Sequence, residues 1–179
     1  MKRNAFTLIE LLVVIGIIGL LVAVAIPNFL SARQRASDSK KKSEMASLKN
    51  ALRLYYNDFN AYPADFNSFP GKLHYIKGCG LGGTAECPCS TSADFASSST
   101  VATPCDTVYM KKFPSTLGTG GLGLSYYQSN SGNDFCLTTK LDNLSDPDIV
   151  SPNVSSLRCS SACPSGACSG AQCYFVCAD

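Results

Sequence analysis

Ten cysteines, one histidine and a run of three aspartates are the side chains of this 179-residue chain with chemistry beyond packing. The cysteines, Cys79, Cys87, Cys89, Cys105, Cys136, Cys159, Cys163, Cys168, Cys173 and Cys177, all lie after residue 78. The last five are separated by three or four residues, unlike the paired C-x2-C steps of zinc modules. An even, dense set of thiols favours disulfides in an oxidising compartment over a metal-binding head. Connectivity cannot be read from spacing, although Cys87 and Cys89 are expected to take separate partners. His74, in "GKLHYIKG", has no nucleophile motif beside it and reads as a surface or packing residue. Asp142, Asp146 and Asp148, in "LDNLSDPDIVS", offer hard oxygen ligands suited to calcium. Their spacing is not that of an EF-hand, and a turn rich in Asp and Pro is the stronger reading. Asn143 and Asn153 head glycosylation sequons by pattern. With no phosphate loop, no H-E-x-x-H and no defined carboxylate pair, no enzyme is read, and no cofactor beyond that calcium candidate.

The remaining pointed residue is Glu10, inside "FTLIELLVVIGIIGLLVAVAIP". Leu8 to Ile26 makes roughly 28 Å of helix, enough to cross a hydrocarbon core. A carboxylate inside such a span costs on the order of 3 kcal/mol. Lys2 and Arg3, before the span, hold the N-terminus on the cytoplasmic side. Three readings compete. The segment is an uncut anchor, or a secretory signal cut after Ala23-Val24-Ala25, or a span preceded by a short basic leader removed before Phe6. Only the third gives Glu10 a partner. The new α-amine at Phe6 of one copy, staggered against its neighbour, would neutralise the Glu10 carboxylate inside an apolar bundle.

"FTLIELLVVIGIIGLLVAVAIPNF" resembles the N-terminus of the type IV pilin superfamily, which spans type IV pilins and type II secretion pseudopilins. Phe6 matches the first mature residue, Thr7-Leu8-Ile9-Glu10 the motif after it, and Pro27 the helix proline; Ala5 stands where the family usually has Gly. The resemblance implies cleavage between Ala5 and Phe6 by a prepilin peptidase, N-methylation of Phe6, assembly through Glu10, and loosening of the helix near Pro27. It implies copies of the chain in a helical filament as partners, with inner-membrane assembly machinery and, before assembly, membrane lipid. The chain would start in the inner membrane on its single helix and end in a cell-surface or periplasmic filament. A surface pilus for adhesion, motility or DNA uptake is the first reading, and the major pseudopilin of a type II secretion system is the alternative. A secreted or membrane-anchored cysteine-rich binding module is the rival outside the family.

The rest of the chain must carry a head on that rod. Residues 28–62 hold seven basic and three acidic residues, residues 63–179 six and nine. A pI near 8 makes nucleic acid an unlikely direct ligand. Leu48, Ala51, Leu52, Tyr55 and Phe59 form one apolar stripe, predicting a helix to about Asn57 with stop signals at Asn60 and Pro63. "SARQRASDSKKKSEMAS" lacks such a stripe, so it and its Lys40-Lys41-Lys42 run read as a solvated or subunit-facing surface. "NALRLYYNDFNAYP" resembles the helix end of pseudopilins and related pilins. "YMKKFPSTLG" reads as a loop, "LSYYQSNSGNDFCLTTKLDN" as a hairpin, and "CPCSTSADFASSSTVATPC" as a cysteine-closed surface loop. The expected fold is α+β: a long N-terminal helix packed on a small antiparallel sheet, with an exposed disulfide-rich C-terminal tail. The expected divisions are a leader at 1–5, a membrane and filament-core helix at 6–27, its amphipathic continuation at 28–62, and the head at 63–179.

Overall fold

The computed structural model describes residues 7–66, 75–87, 89, 94–98, 105–114, 124–150, 163 and 172–178. Its axis is one 52-residue helix, α1 (Leu8–Phe59). Thr7 and Glu10 start it as a reciprocal capping box. At the other end Asn60 takes the left-handed conformation (φ 53°), and its N–H donates to the Tyr56 carbonyl at 2.7 Å. The helix thus runs one residue pair past the Asn57 expected from the stripe. It also passes Pro27 without interruption.

The head closes on the last four turns of α1. Met45, Leu48, Ala51, Leu52 and Tyr55 are buried there, and Phe59 packs at the margin. They meet Ile76, Phe95, Leu124, Tyr126, Phe135 and Leu137 from two sheets. In the first, β1 (Asp65–Phe66), β2 (Tyr75–Leu81), β4 (Phe95–Ser98) and β5 (Thr107–Met110) lie in that order, with β3 (Ala85–Glu86) paired to β2. The β2–β4 pairing is parallel and the rest antiparallel. In the second sheet β6 (Ser125–Ser129), β7 (Asp134–Lys140) and β8 (Cys173–Cys177) form an antiparallel meander. The α+β architecture is as the sequence predicts.

Four local expectations are corrected. The Ser/Ala-rich stretch expected as a surface loop contains β4, buried at all four positions. Its anchor is Phe95, whose ring lies 5.7 Å from Tyr55, 5.2 Å from Tyr109 and 6.4 Å from Phe113. One aromatic in a run of small residues sets no period, so the strand is invisible to pattern. Tyr109 and Met110, expected in a loop, end β5. The C-terminal Cys173–Cys177 stretch is not an exposed tail: it is β8, paired along its length with β7. Finally, residues 31–47 are not wholly solvated, since Asp38 and Met45 are buried.

Disulfides join Cys79 to Cys87, Cys89 to Cys105 and Cys136 to Cys163, with Cα atoms 5.2, 6.7 and 5.2 Å apart. Cys87 and Cys89 therefore have different partners. Cys173 and Cys177 are disulfide-bonded as well. Cys159, Cys168, His74 and Asn153 lie outside the described residues.

Gly132 and Gly83 are two of the glycines that their surroundings require. Gly132 (φ 92°) carries the turn of the β6–β7 hairpin against the helix end, where a Cβ would come within 3.0 Å of the Ala61 Cβ. The Tyr62 N–H donates to the Gly132 carbonyl at 2.7 Å, and the Gln128 amide donates to the Tyr62 carbonyl at 2.7 Å. Gly83 (φ 65°) faces the Tyr55 hydroxyl so closely that no Cβ fits. Phe95→Ala is expected to cost about 3–5 kcal/mol, read as a fall in the denaturant midpoint of the full chain. Leu54→Ala, at an exposed helix position, should shift it by less than about 0.5 kcal/mol.

Candidate functional site

Every described residue from Thr7 to Ala36 is exposed. Large apolar side chains stand along the whole of Leu8 to Leu30, with Leu8 80% and Leu20 70% accessible. The helix is long and apolar enough to cross a membrane, and no part of that apolar window is buried inside the chain. Gly16 and Gly19 have open space where a Cβ would be, so the chain's own packing does not call for them. They leave room for close approach by another helix.

Glu10 has a partner within its own chain. Its Oε2 accepts the Thr7 backbone N–H at 2.9 Å and the Thr7 hydroxyl at 2.7 Å, and the Thr7 Oγ1 accepts the Glu10 N–H at 3.4 Å. The carboxylate thereby covers one of the orphan donors of the first turn. The Thr-x-x-Glu spacing before an apolar run is the sequence signal for this cap, and the sequence reading overlooked it. Both contacts use one oxygen and lie on the helix's own end, so they do not compete with a second cation reaching Glu10 from outside. Ala5 and Phe6 lie outside the described residues. At Pro27 the missing N–H removes the usual bond to the Ala23 carbonyl. One residue on, the Asn28 side-chain amide donates to the Val24 carbonyl at 3.3 Å, and the Ser31 hydroxyl donates to the Asn28 carbonyl at 3.0 Å.

Where the helix meets the head, charge replaces apolar contact. Asp38, 1% exposed, accepts the backbone N–H groups of Asp142 and Asn143 at 2.7 and 2.8 Å. The Lys41 ammonium lies 3.1 Å from Asp142 and 3.6 Å from Asp38, and donates to the Lys140 carbonyl at 2.9 Å. The Lys42 ammonium reaches Asp146 at 2.6 Å and Asp148 at 2.7 Å, with the Tyr174 ring centroid 5.5 Å away. Asp146 also accepts the Asp148 N–H at 3.0 Å.

One sequence expectation changes here. Lys41 and Lys42 are not part of a solvated face; of that run Lys40 alone is well exposed, paired with Glu44 at 3.8 Å. The calcium candidates Asp142, Asp146 and Asp148 are divided between two ammonium groups instead of converging on one point. Among the described residues no three His, Cys, Asp or Glu side chains gather as a metal site. Partial burial of the Lys42 ammonium opposes its charge, but the hydrogen bonds from it to Asp146 and Asp148 outweigh this and raise its pKa. The same bond from Lys42, helped by the Asp148 N–H, lowers the pKa of Asp146.

The prokaryotic N-terminal methylation motif model matches residues 1–26. Similarity to curated relatives covers about a third of the chain or less. The chain is 39% identical over 57 residues to the type IV major pilin protein PilA of Myxococcus xanthus, covering 32% of this chain and 26% of that protein. It is 40% identical over 57 residues to the type II secretion system core protein G of Escherichia coli, covering 32% and 39%. It is 67% identical over 39 residues to the type IV wide pilus major component PilA4 of Thermus thermophilus, covering 21% and 30%. The start of the helix carries the prepilin methylation motif, and the chain is similar to members of the type IV pilin superfamily. The chain spans between about a quarter and two fifths of the length of these relatives. No solved structure matches it significantly.

The latch of Asp38, Lys41 and Lys42, where the helix meets its head, should show in the pH dependence of stability. Asp146 titrates lower folded than unfolded, so its contribution is present above the ordinary value of 3.8 and disappears as pH falls below it. Lys42 titrates higher folded than unfolded, so its contribution is full below the ordinary 10.5 and is lost as pH rises above it. Lys42→Met should therefore lower the melting temperature by a few degrees across neutral pH. The gap from the parent chain should narrow below 3.8 and above 10.5, as followed by thermal melts over a pH series.

Proposed function

We propose that the chain is a structural subunit of a type IV pilus-like filament that polymerises through α1. The observation that carries this is the exposed apolar half of the helix, Leu8 to Leu30, set against a head whose core closes entirely on the other half. A surface of that kind needs lipid first and neighbouring helices afterwards. In this reading residues 1–5 are a leader removed by a prepilin peptidase between Ala5 and Phe6, and Phe6 carries the new, methylated amine. That amine pairs with Glu10 of the adjacent copy, while the Thr7 cap holds the carboxylate in place. Pro27, whose turn already lacks one backbone bond, is where the helix loosens on assembly. Residues 6–27 form the filament core, 28–62 the rod that bears the head, and 63–179 the outward surface. The subunit starts in the inner membrane, and the cysteine-stapled head suits a filament exposed outside the cell, for adhesion, motility or DNA uptake.

A second reading, the major pseudopilin of a type II secretion system, draws on the similarity to core protein G. That similarity is 40% identity over 57 residues, the same length as the similarity to the type IV major pilin PilA. The two readings share their assembly chemistry and differ in where the filament ends.

Shearing of cells followed by mass spectrometry of the released N-terminal peptide separates them. A chain beginning at Phe6 in the sheared fraction is the expected result for a pilus, and the same start confined to the membrane fraction supports a pseudopilin. A start at Met1 or Ile26 would overturn both. Glu10→Leu should insert in the membrane and yield at least tenfold less filament, so parent-like filament yield from that variant would remove the proposed role of Glu10.

A further inference from the structure

Residues 28–62, which follow the apolar half and include the turns that the head covers, carry seven basic residues. Lys40, Lys41 and Lys42 are paired with carboxylates, Arg53 donates to the Ala178 carbonyl at 2.9 Å, and Lys49 also has a partner. Arg33 and Arg35 are the two that make no such contact among the described residues, and both are exposed. They sit just after the last large apolar residue, Leu30, and before Asp38, the first residue that the head buries. At 1.5 Å per residue, Arg33 is about 4.5 Å and Arg35 about 7.5 Å beyond Leu30 along the axis. Each polar layer of a bilayer is about 5–7 Å thick. Two residues apart on a helix, the guanidinium groups point to nearly opposite sides.

From this placement we propose that Arg33 and Arg35 form a collar that binds the phosphates of anionic phospholipid headgroups on the membrane face nearest the head. The proposal rests on the membrane-anchored stage of the filament reading. Guanidinium groups donate two parallel hydrogen bonds to phosphate, and their stems lie along the apolar boundary while their heads stay wet. Acidic side chains of a second copy are the rival occupant. Of the residues whose carboxylates are described, all but Asp94 already have a partner within the chain, and the open oxygen of Glu10 goes to the neighbouring amine in the filament reading. A membrane supplies phosphate at the level of the collar, on every side of the helix. The collar therefore fixes how far the helix sinks and keeps the head clear of the lipid.

The test uses the full chain reconstituted in vesicles of phosphatidylcholine and phosphatidylglycerol, with spin-labelled lipids of each kind. The parent chain should immobilise spin-labelled phosphatidylglycerol in preference to phosphatidylcholine, and the preference should weaken with salt. The double variant R33Q/R35Q should lose most of it, about fivefold per arginine at most, while K40Q keeps it. Both arginines are exposed, so an unchanged denaturant midpoint will confirm that the head is folded. Equal immobilisation of the two lipids by the parent, or an unchanged preference in R33Q/R35Q, would overturn the collar. If R33Q/R35Q keeps the lipid preference yet yields no sheared filament, the arginines serve a second copy of the chain and the lipid proposal is wrong. Failure of the filament reading is seen separately, as absence of the parent chain from sheared material whatever the vesicles show.

Discussion

The organisation of this protein follows from an apolar helix half that its own fold leaves uncovered. Fully burying a Leu, Ile or Val side chain is worth about 1.5–3 kcal/mol, and such residues line Leu8 to Leu30 with none of that surface covered by the head. A monomer in water cannot sustain this. The helix must be in lipid or against other helices, and a head that stays folded in either setting needs a stability that depends on neither.

The head meets that condition by taking its core from the far end of α1. Met45 to Tyr55 supply the helical face, Phe95, Phe135 and Tyr126 the facing rings, and the capped end at Asn60 turns the chain back over the sheet. The latch at Asp38, Lys41 and Lys42 extends this grip two turns down the helix with polar contacts. An apolar extension there would have lengthened the membrane-seeking segment, whereas partnered charges mark a border between the head-bearing rod and the apolar half. Disulfides secure the shorter strands of the first sheet: the end of β3 to β2 at Cys79–Cys87, and the approach to β4 at Cys89–Cys105.

What could be read from the sequence was whatever has a period or a motif. The stripe from Leu48 to Phe59, the β6–β7 hairpin around "SNSGND", and the spanning segment all stand where their patterns place them. Elements made by distant partners could not be read. β4 has one large side chain and owes its burial to Tyr55 and Tyr109, which are 40 and 14 residues away in sequence. β8 owes its place to register with β7. Lys41 and Lys42 resemble a solvated charge run until the loop after β7 brings Asp142, Asp146 and Asp148 to them. The Glu10 cap differs from these, because Thr7 and Glu10 are three residues apart and the signal was local.

The claim most open to direct test is that the head folds without the apolar half. The chain beginning at Ser31, directed to an oxidising compartment and purified without detergent, should sediment as a soluble monomer. Its cysteines should be fully oxidised, its remaining helix visible by circular dichroism, and its denaturant midpoint equal to that of the full chain in detergent. A fragment that aggregates, keeps free thiols or unfolds at markedly lower denaturant would show that Leu8 to Leu30 contributes to the head, contradicting the division of the molecule described above.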